Sequence, residues 1–376
     1  MSLRRGGFSS LVPAGLLCSL VLALGLALLL FSSQGKAPPP TGPDLVFSSD
    51  VDVSVQYVFD ATRGAARVGE GAHAFDTVLT RDGRSMVRVE ARAAAMHAPG
   101  WGSSDTSVVW RRLDGSGSQE IFSTRADTLI TTLALTPDEK HLSFVHFVPR
   151  NHDFSPEGLW EINTIRLSDA TMVCRPLRPL NGQPVACPDG LTYTAAGDWI
   201  VACVSIADVT ASRQRPATVL FHAETGEQRL LFPDRHACVS PRGDRIAYGE
   251  PGGQRGWRLM VAPFDAARLS MTAAGGIEGA RCVVEYGSRA DGIVTFRWGR
   301  AGDRVYFLDA ADASRGLHCV EVDTGATTVV APHAALFPCA RGYVEALSSL
   351  SPTQARRLRG ALASPVSDPR QETRER

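Results

Sequence analysis

One segment recurs along the chain, and it restricts the fold more than any other feature. Thr80-Arg-Asp-Gly-Arg-Ser-Met-Val-Arg-Val89 joins a tight-turn signal to a β-rich run. Thr136-Pro-Asp-Glu-Lys-His-Leu-Ser-Phe-Val145, Thr194-Ala-Ala-Gly-Asp-Trp-Ile-Val-Ala-Cys203, Ser240-Pro-Arg-Gly-Asp-Arg-Ile-Ala-Tyr-Gly249 and Trp298-Gly-Arg-Ala-Gly-Asp-Arg-Val-Tyr-Phe307 repeat the pattern. The third turn position falls at Gly83, Glu139, Gly197, Gly243 and Gly302, so the intervals are 56, 58, 46 and 59 residues. Each interval holds about four short strands with their turns.

The second half of each unit is also repetitive. Val108-Val-Trp-Arg-Arg-Leu-Asp-Gly115, Asn163-Thr-Ile-Arg-Leu-Ser-Asp169, Thr218-Val-Leu-Phe-His-Ala-Glu-Thr-Gly226 and Cys319-Val-Glu-Val-Asp-Thr-Gly325 each lead through a turn cluster into another β-rich run. That pattern predicts a hairpin. A lone four-stranded unit cannot bury both of its faces, whereas radial stacking buries all of them. Residues 45–68 carry the later strands of a further unit, and residues 335–346 carry a first strand without the rest. Joined in one blade, the two ends of the chain would leave no free edge. The expectation is an all-β, six-bladed β-propeller over residues 45–346, with four-stranded blades and a ring closed by strands from both termini.

Ser240-Pro-Arg-Gly-Asp-Arg-Ile-Ala-Tyr248 and Leu45-Val-Phe-Ser-Ser-Asp50 with Gln56-Tyr-Val-Phe-Asp60 resemble the TolB-type, WD40-like β-propeller repeat family. The resemblance spans about residues 45–346 at the level of the repeat. Glu139 replaces a turn glycine, and Ala195-Ala196 replaces a Pro-Asp pair. The resemblance implies the propeller fold. TolB's extra N-terminal α/β domain has no counterpart in residues 1–44, so its specific role does not carry over.

Ahead of the repeats, Arg4 and Arg5 precede an uncharged stretch from Gly6 to Gln34 whose core, Leu11 to Phe31, is almost wholly apolar. As a helix it reaches about 30 Å, the thickness of a bilayer's hydrocarbon core. Residues 1–35 are therefore expected to form a transmembrane signal anchor, with a cleaved signal peptide as the alternative. The arginines stay cytoplasmic, which places the propeller outside a bacterial inner membrane, or has it secreted after cleavage. The Pro-rich stretch 36–44 reads as a semi-rigid linker. Residues 347–376 read as a short helix, starting near Ser351-Pro352, followed by a disordered tail.

The charge balance of 39 basic and 39 acidic residues removes the basic footprint that nucleic acid requires. No Gly-x-Ser-x-Gly, phosphate loop or His-Glu-x-x-His occurs in the chain. No catalytic, cofactor-binding or metal-ligating set is therefore assigned. Asp60, Asp114, Asp198, Asp244, Asp303 and Asp323 read as turn residues. Trp110, Trp160, Trp199, Trp257 and Trp298 read as packing between blades, and Cys203, Cys238 and Cys319 as small buried hydrophobes. Cys174 and Cys187 are the candidate disulfide, since export permits oxidation. Trp101, Gly102 and Ser103, in the loop Pro99–Ser104, are the candidate contact residues. The leading expectation is a non-enzymatic envelope scaffold or recognition module for another envelope protein or peptide. The alternative is a polysaccharide-binding or metal-dependent lyase-like propeller, for which His141, His146 and His152 are the tempting ligands.

Overall fold

The computed structural model describes residues 42–49, 55–60, 63–70, 74–91, 106–124, 129–148, 159–180, 182, 185–208, 213–252, 256–272, 275–286, 296–308, 316–331 and 334–335. The expected N-terminal helix, the helix near Ser351 and the loop of Trp101, Gly102 and Ser103 lie outside these residues. Among the described residues every regular element is a strand, and no helix is long and apolar enough to cross a membrane.

The strands form four-stranded antiparallel sheets. Chain order opens with β1 (Leu45–Ser49), β2 (Val55–Asp60) and β3 (Gly64–Glu70). The first full blade is β4 (Ala74–Leu79), β5 (Ser85–Ala91), β6 (Thr106–Arg112) and β7 (Ser118–Ser123). The second is β8 (Leu129–Leu135), β9 (His141–Val148), β10 (Leu159–Arg166) and β11 (Met172–Pro176). The third is β12 (Val185–Tyr193), β13 (Trp199–Asp208), β14 (Arg213–His222) and β15 (Gln228–Phe232). The fourth is β16 (Ala237–Val239), β17 (Arg245–Pro251), β18 (Trp257–Pro263) and β19 (Arg281–Tyr286). The fifth is β20 (Phe296–Trp298), β21 (Arg304–Leu308), β22 (Leu317–Glu321) and β23 (Thr327–Ala331). Finally β24 (Ala334–Ala335) returns to pair with β1, making a composite sheet of order β24-β1-β2-β3.

The repeated motif is the turn from the first to the second strand of each full blade. Its opening hydroxyl does two jobs in one position. Thr80 Oγ1 donates to Asp82 (2.6 Å) and accepts the amide of Ser85 (3.0 Å). Thr136 does the same with Asp138 and His141, and Ser240 with Asp244 and Arg245. The amide of the third turn residue closes the turn onto the opening carbonyl, at 2.7–2.9 Å in all five turns. That closure needs a positive φ, which Gly83, Gly197, Gly243 and Gly302 adopt without strain. Glu139 adopts it at φ 56°. Its carboxylate accepts the amide of Arg81 from the neighbouring turn, a bond that glycine cannot make.

Each turn rests on the turn of the preceding full blade. A Cβ at Gly197 would touch Thr136 and Pro137, one at Gly302 would touch Pro241 and Arg242, and one at Gly243 would overlap the backbone of Ala195. The circuit closes between the fifth blade and the first, where Arg300 donates to Pro43 O and Arg81 O, each at 2.7 Å, and lies against Gly83.

The inner wall closes in the same order. An inner strand has no partner on its channel side, so its exposed N–H and C=O groups must be satisfied by side chains or solvent. Asp76 of β4 accepts the amide of Leu133 (2.8 Å) and the Thr132 hydroxyl (3.0 Å) of β8. Thr131 of β8 donates to Pro188 O of β12 at 3.4 Å. Thr192 of β12 accepts the amide of Val239 of β16 at 2.9 Å. Trp298 Nε1 of β20 donates to Cys238 O of β16 at 2.9 Å. Arg297 of β20 completes the circuit, donating to Thr77 O (2.6 Å) and Asp76 (2.5 Å) of β4.

The expectation of a six-bladed ring closed by strands from both termini is met in part: five full blades are present, and strands from the two ends of the chain share a further, composite sheet. Five blades of consecutive strands supply the turns and the inner wall. The composite sheet, whose inner strand is described at Ala334–Ala335, is set between the fifth blade and the first. Among the described residues Ala334 and Ala335 pair with Ser49 and Ser48, and Arg297 supplies a side-chain link from the fifth blade to the first.

Two glycine substitutions separate the turn geometry from the packing around it. A Cβ on Gly115 (φ 76°) would meet nothing within 4 Å, so Gly115→Ala is expected to cost about 1–2 kcal/mol, the penalty for a left-handed residue. Gly243→Ala has a similar φ of 74° and also collides with Ala195, so it is expected to lose at least about 2 kcal/mol more. Denaturant midpoints of the two variants check the difference.

Candidate functional site

The point where the chain enters the propeller is the most elaborate polar site among the described residues. Asp44 is buried, and its carboxylate accepts the Tyr306 hydroxyl at 2.6 Å and the amide of Ala301 at 3.1 Å. Its backbone is held as well: its carbonyl accepts the Arg300 amide (2.9 Å), and its amide donates to Phe59 O (2.7 Å). A Cβ at Gly299 would overlap this carboxylate. The fifth turn therefore opens on glycine where the other four open on Thr or Ser. An aspartate from the far end of the chain occupies the place of the missing hydroxyl. Burial and the nearby Asp44 carboxylate push the Tyr306 hydroxyl far above the usual tyrosine range, so it is a hydrogen-bond donor throughout physiological pH.

This anchor also fixes the side of entry. Gly42 lies beside Gly83 and Arg300, so the chain arrives on the face that carries the five tight turns. The connections between second and third strands of each blade leave from the opposite face, because antiparallel strands alternate in direction. The segment holding Trp101, Gly102 and Ser103 is the β5–β6 connection and so joins strand ends on that opposite face; its own residues are not described. The anchor was not among the sequence candidates. Asp44 stands in a Pro-rich linker with no repeat pattern around it, and its side-chain partners are more than 250 positions away. Only the Gly299 departure from Thr/Ser was visible as a signal.

The other candidates fall as follows. Cys174 is an exposed residue of β11, and of Cys187 only its place in β12, opposite Ser205, is described; the proposed bridge thus falls partly outside the described residues. Cys203, Cys238 and Cys319 are buried, and burial pushes the Cys238 and Cys319 thiols up to about 12, which keeps them protonated and unreactive. Trp160, Trp199 and Trp298 are buried between blades, while Trp110 and Trp257 are half-buried against the same apolar clusters. Asp198 and Asp244 bond Thr194 and Ser240, and Asp114 bonds Ser116, as turn residues do.

The histidines do not converge. His141 and His146 stand five residues apart on β9 and so project from opposite faces, and His152 lies outside the described residues. Among the described residues no three His, Cys, Asp or Glu side chains are placed to hold a metal ion. His146 is packed between blades, edge-on to Phe122, with its Nδ1 4.0 Å from Glu161. That separation is too long for a hydrogen bond. Burial favours the neutral form of each partner, lowering the imidazole and raising the carboxyl.

Both the anchor and this histidine can be probed by substitution. Tyr306→Phe leaves the Asp44 carboxylate without its buried donor and is expected to cost about 1–3 kcal/mol, read as a shifted denaturant midpoint. For His146 the folded-state pKa lies below the unfolded value of 6.5, so the unfolded chain binds more protons in the interval between them. Its contribution is present above pH 6.5 and is lost as pH falls below it. His146→Gln is expected to flatten the decline in Tm as pH falls below 6.5, checked by thermal melts of both chains.

No family model matches the chain, and no curated protein does. Solved structures do. TolB from Acinetobacter baumannii superposes with a TM-score of 0.55 at 13% identity, covering 88% of this chain and 73% of that one. An oligogalacturonate lyase in complex with manganese gives 0.48 at 13% identity, covering 74% and 71%. A putative TolB from Agrobacterium tumefaciens gives 0.41 at 13% identity, covering 65% and 82%. The likeness to the first of these establishes a TolB-like propeller fold.

Proposed function

We propose that the chain is a non-enzymatic recognition scaffold of the cell envelope, anchored through residues 1–35 and holding its propeller outside the cytoplasmic membrane. One observation carries this reading: the chain is clamped into the ring at Pro43 and Asp44 on the tight-turn face. The clamp occupies part of the tight-turn face, which leaves the opposite face, with its inter-strand connections, for a partner. The rest of the molecule suits a rigid platform, since the turns and inner strands lock blade to blade and leave loop sequence free to vary. The TolB-like fold is compatible with such a role, although fold alone does not assign it. The partner is an envelope protein or peptide docking on the face opposite the tight turns.

The test uses a photo-crosslinking residue placed at exposed positions on each face, in cells producing the full-length chain. Pro251, at the β17 end opposite the tight turns, is expected to yield a discrete adduct with another envelope protein. Lys140, in the second tight turn, is expected to yield none. Adducts from Lys140 alone, or from neither position, would sink the reading. Sequencing the purified N-terminus distinguishes an anchor, which begins near Met1, from a cleaved and secreted form.

A further inference from the structure

The outermost strand of a propeller blade is a sheet edge, which a further strand can extend through main-chain bonds. In five of the sheets the last two strands pair with a register shift: β2–β3, β6–β7, β14–β15, β18–β19 and β22–β23. Such a bulge bends and twists the edge and so blunts it. The second blade differs. There β10 and β11 pair without a shift over five successive positions, from Ile165 with Met172 to Glu161 with Pro176. Met172, Val173 and Cys174 of β11 are exposed in succession, the first two at 39% and 38%. In an antiparallel ladder each residue turns its N–H and C=O to the same side, and successive residues alternate. Leu177 N donates to Trp160 O and Arg166 N to Thr171 O, so the odd-numbered residues of β11 face β10. Met172 and Cys174 therefore turn their backbone groups outward. Pro176 does too, but it has no N–H, and its carbonyl already accepts Gln228 Nε2 at 3.3 Å. Cys174 O is reached by Arg175 Nη1 only at 3.5 Å, which leaves room for a shorter bond. The edge thus offers four groups, two donors and two acceptors, on Met172 and Cys174.

We infer that this edge joins two copies of the chain, antiparallel about a two-fold axis at Val173, so that two second blades become one eight-stranded sheet. In this register Met172 lies opposite the second copy's Cys174, and Cys174 opposite its Met172. Every outward donor then meets an outward acceptor, and four ladder bonds form. Val173 stands opposite itself in a non-hydrogen-bonded pair, where side chains approach most closely and β-branched residues pack well. The charges agree with the register. Arg175, the one charged residue of β11, is drawn back to Glu224 O of the third blade at 2.9 Å and falls opposite the second copy's Thr171, not opposite itself. Arg178, exposed just past the strand, comes one position from the second copy's exposed Asp169, and the axis makes that contact twice. A second copy also matches the length of the edge, because its own edge ends at Pro176 and at the Asp169 turn. A longer extended peptide would run past Pro176, where the ladder has no donor to give it. The edge is on the rim, so the pairing leaves both faces of the ring clear and does not rest on the envelope role proposed above.

Sedimentation and thiol cross-linking of the purified full-length chain test this. The unsubstituted chain is expected to sediment as a mixture of monomer and dimer at about 100 μM, since so short an edge makes a weak contact. Val173→Lys sets like charges opposite each other at an exposed site and is expected to weaken the dimer at least about tenfold. Val329→Lys, on the more exposed but bulged β23, is expected to leave it unchanged. Opposed residues of a non-hydrogen-bonded pair stand about 4.5 Å apart at Cα, within the range of a disulfide. In a Cys174→Ser background, Val173→Cys is therefore expected to form a disulfide-linked dimer, with diamide taking up the two electrons and two protons. The link should map to position 173 in both copies and form at least about tenfold faster than one from Val329→Cys in the same background. A chain that stays monomeric, a dimer that Val173→Lys does not weaken, or equal cross-linking at the two positions would overturn the inference.

Discussion

Everything else in this propeller follows from how the open side of each inner strand is satisfied. A sheet in the middle of a fold has ladder bonds on both sides of every interior strand, but a propeller leaves the inner strand of each blade facing a channel. Here the missing partners are supplied sideways. Asp76, Thr131, Thr192, Trp298 and Arg297 each reach the next or preceding inner strand, and together they form a closed circuit. Unpaired buried backbone groups are costly, so each of these side chains removes a penalty as well as making a bond. The blades are thereby held in register by polar contacts at the centre and by apolar clusters further out.

The circuit has one member unlike the others. Four links join neighbouring full blades through short side chains or an indole. The fifth spans the place where the composite sheet lies between the fifth blade and the first. Arginine suits that span because its guanidinium is planar, permanently charged and able to bond a carbonyl and a carboxylate together. Arg300 repeats the solution one turn away, joining Pro43 O and Arg81 O at the tight-turn face. Two arginines three residues apart therefore close both rims of the same gap, and Asp44 beneath them secures the entering chain to Tyr306. The structural closure of the ring and the attachment of its N-terminal segment are a single piece of chemistry, and the side on which the chain enters follows from it.

Much of this was legible in the residues, for identifiable reasons. The turn motif combines an opening hydroxyl, an aspartate and a positive-φ glycine, and each is needed locally, so its recurrence identified the first-to-second strand turn of every full blade. The tryptophans recur once per blade because each fills the space between neighbouring sheets. The composite sheet was anticipated from half-units at the two ends, yet its inner strand was expected to run through residues 335–346 and is described only at Ala334–Ala335. The Asp44 anchor and Arg297 were not anticipated. The anchor and Arg297 have partners more than 200 positions away, and no local pattern distinguishes Arg297 from the many other arginines. Pairings of that kind depend on ring closure, which a repeat analysis identifies as a need without saying which residues meet it.

Arg297 closes the inner wall by acting on Asp76, and a double-mutant cycle measures this closure without an intermediary. It needs the unfolding free energies of the unsubstituted chain, Arg297→Met, Asp76→Asn and the double variant. A buried pair that closes the ring predicts a coupling of about 2–3 kcal/mol, because the second substitution finds little left to break once the first is made. A coupling below about 0.5 kcal/mol would mean that the two residues act independently, and the five-strand wall would then need another closure.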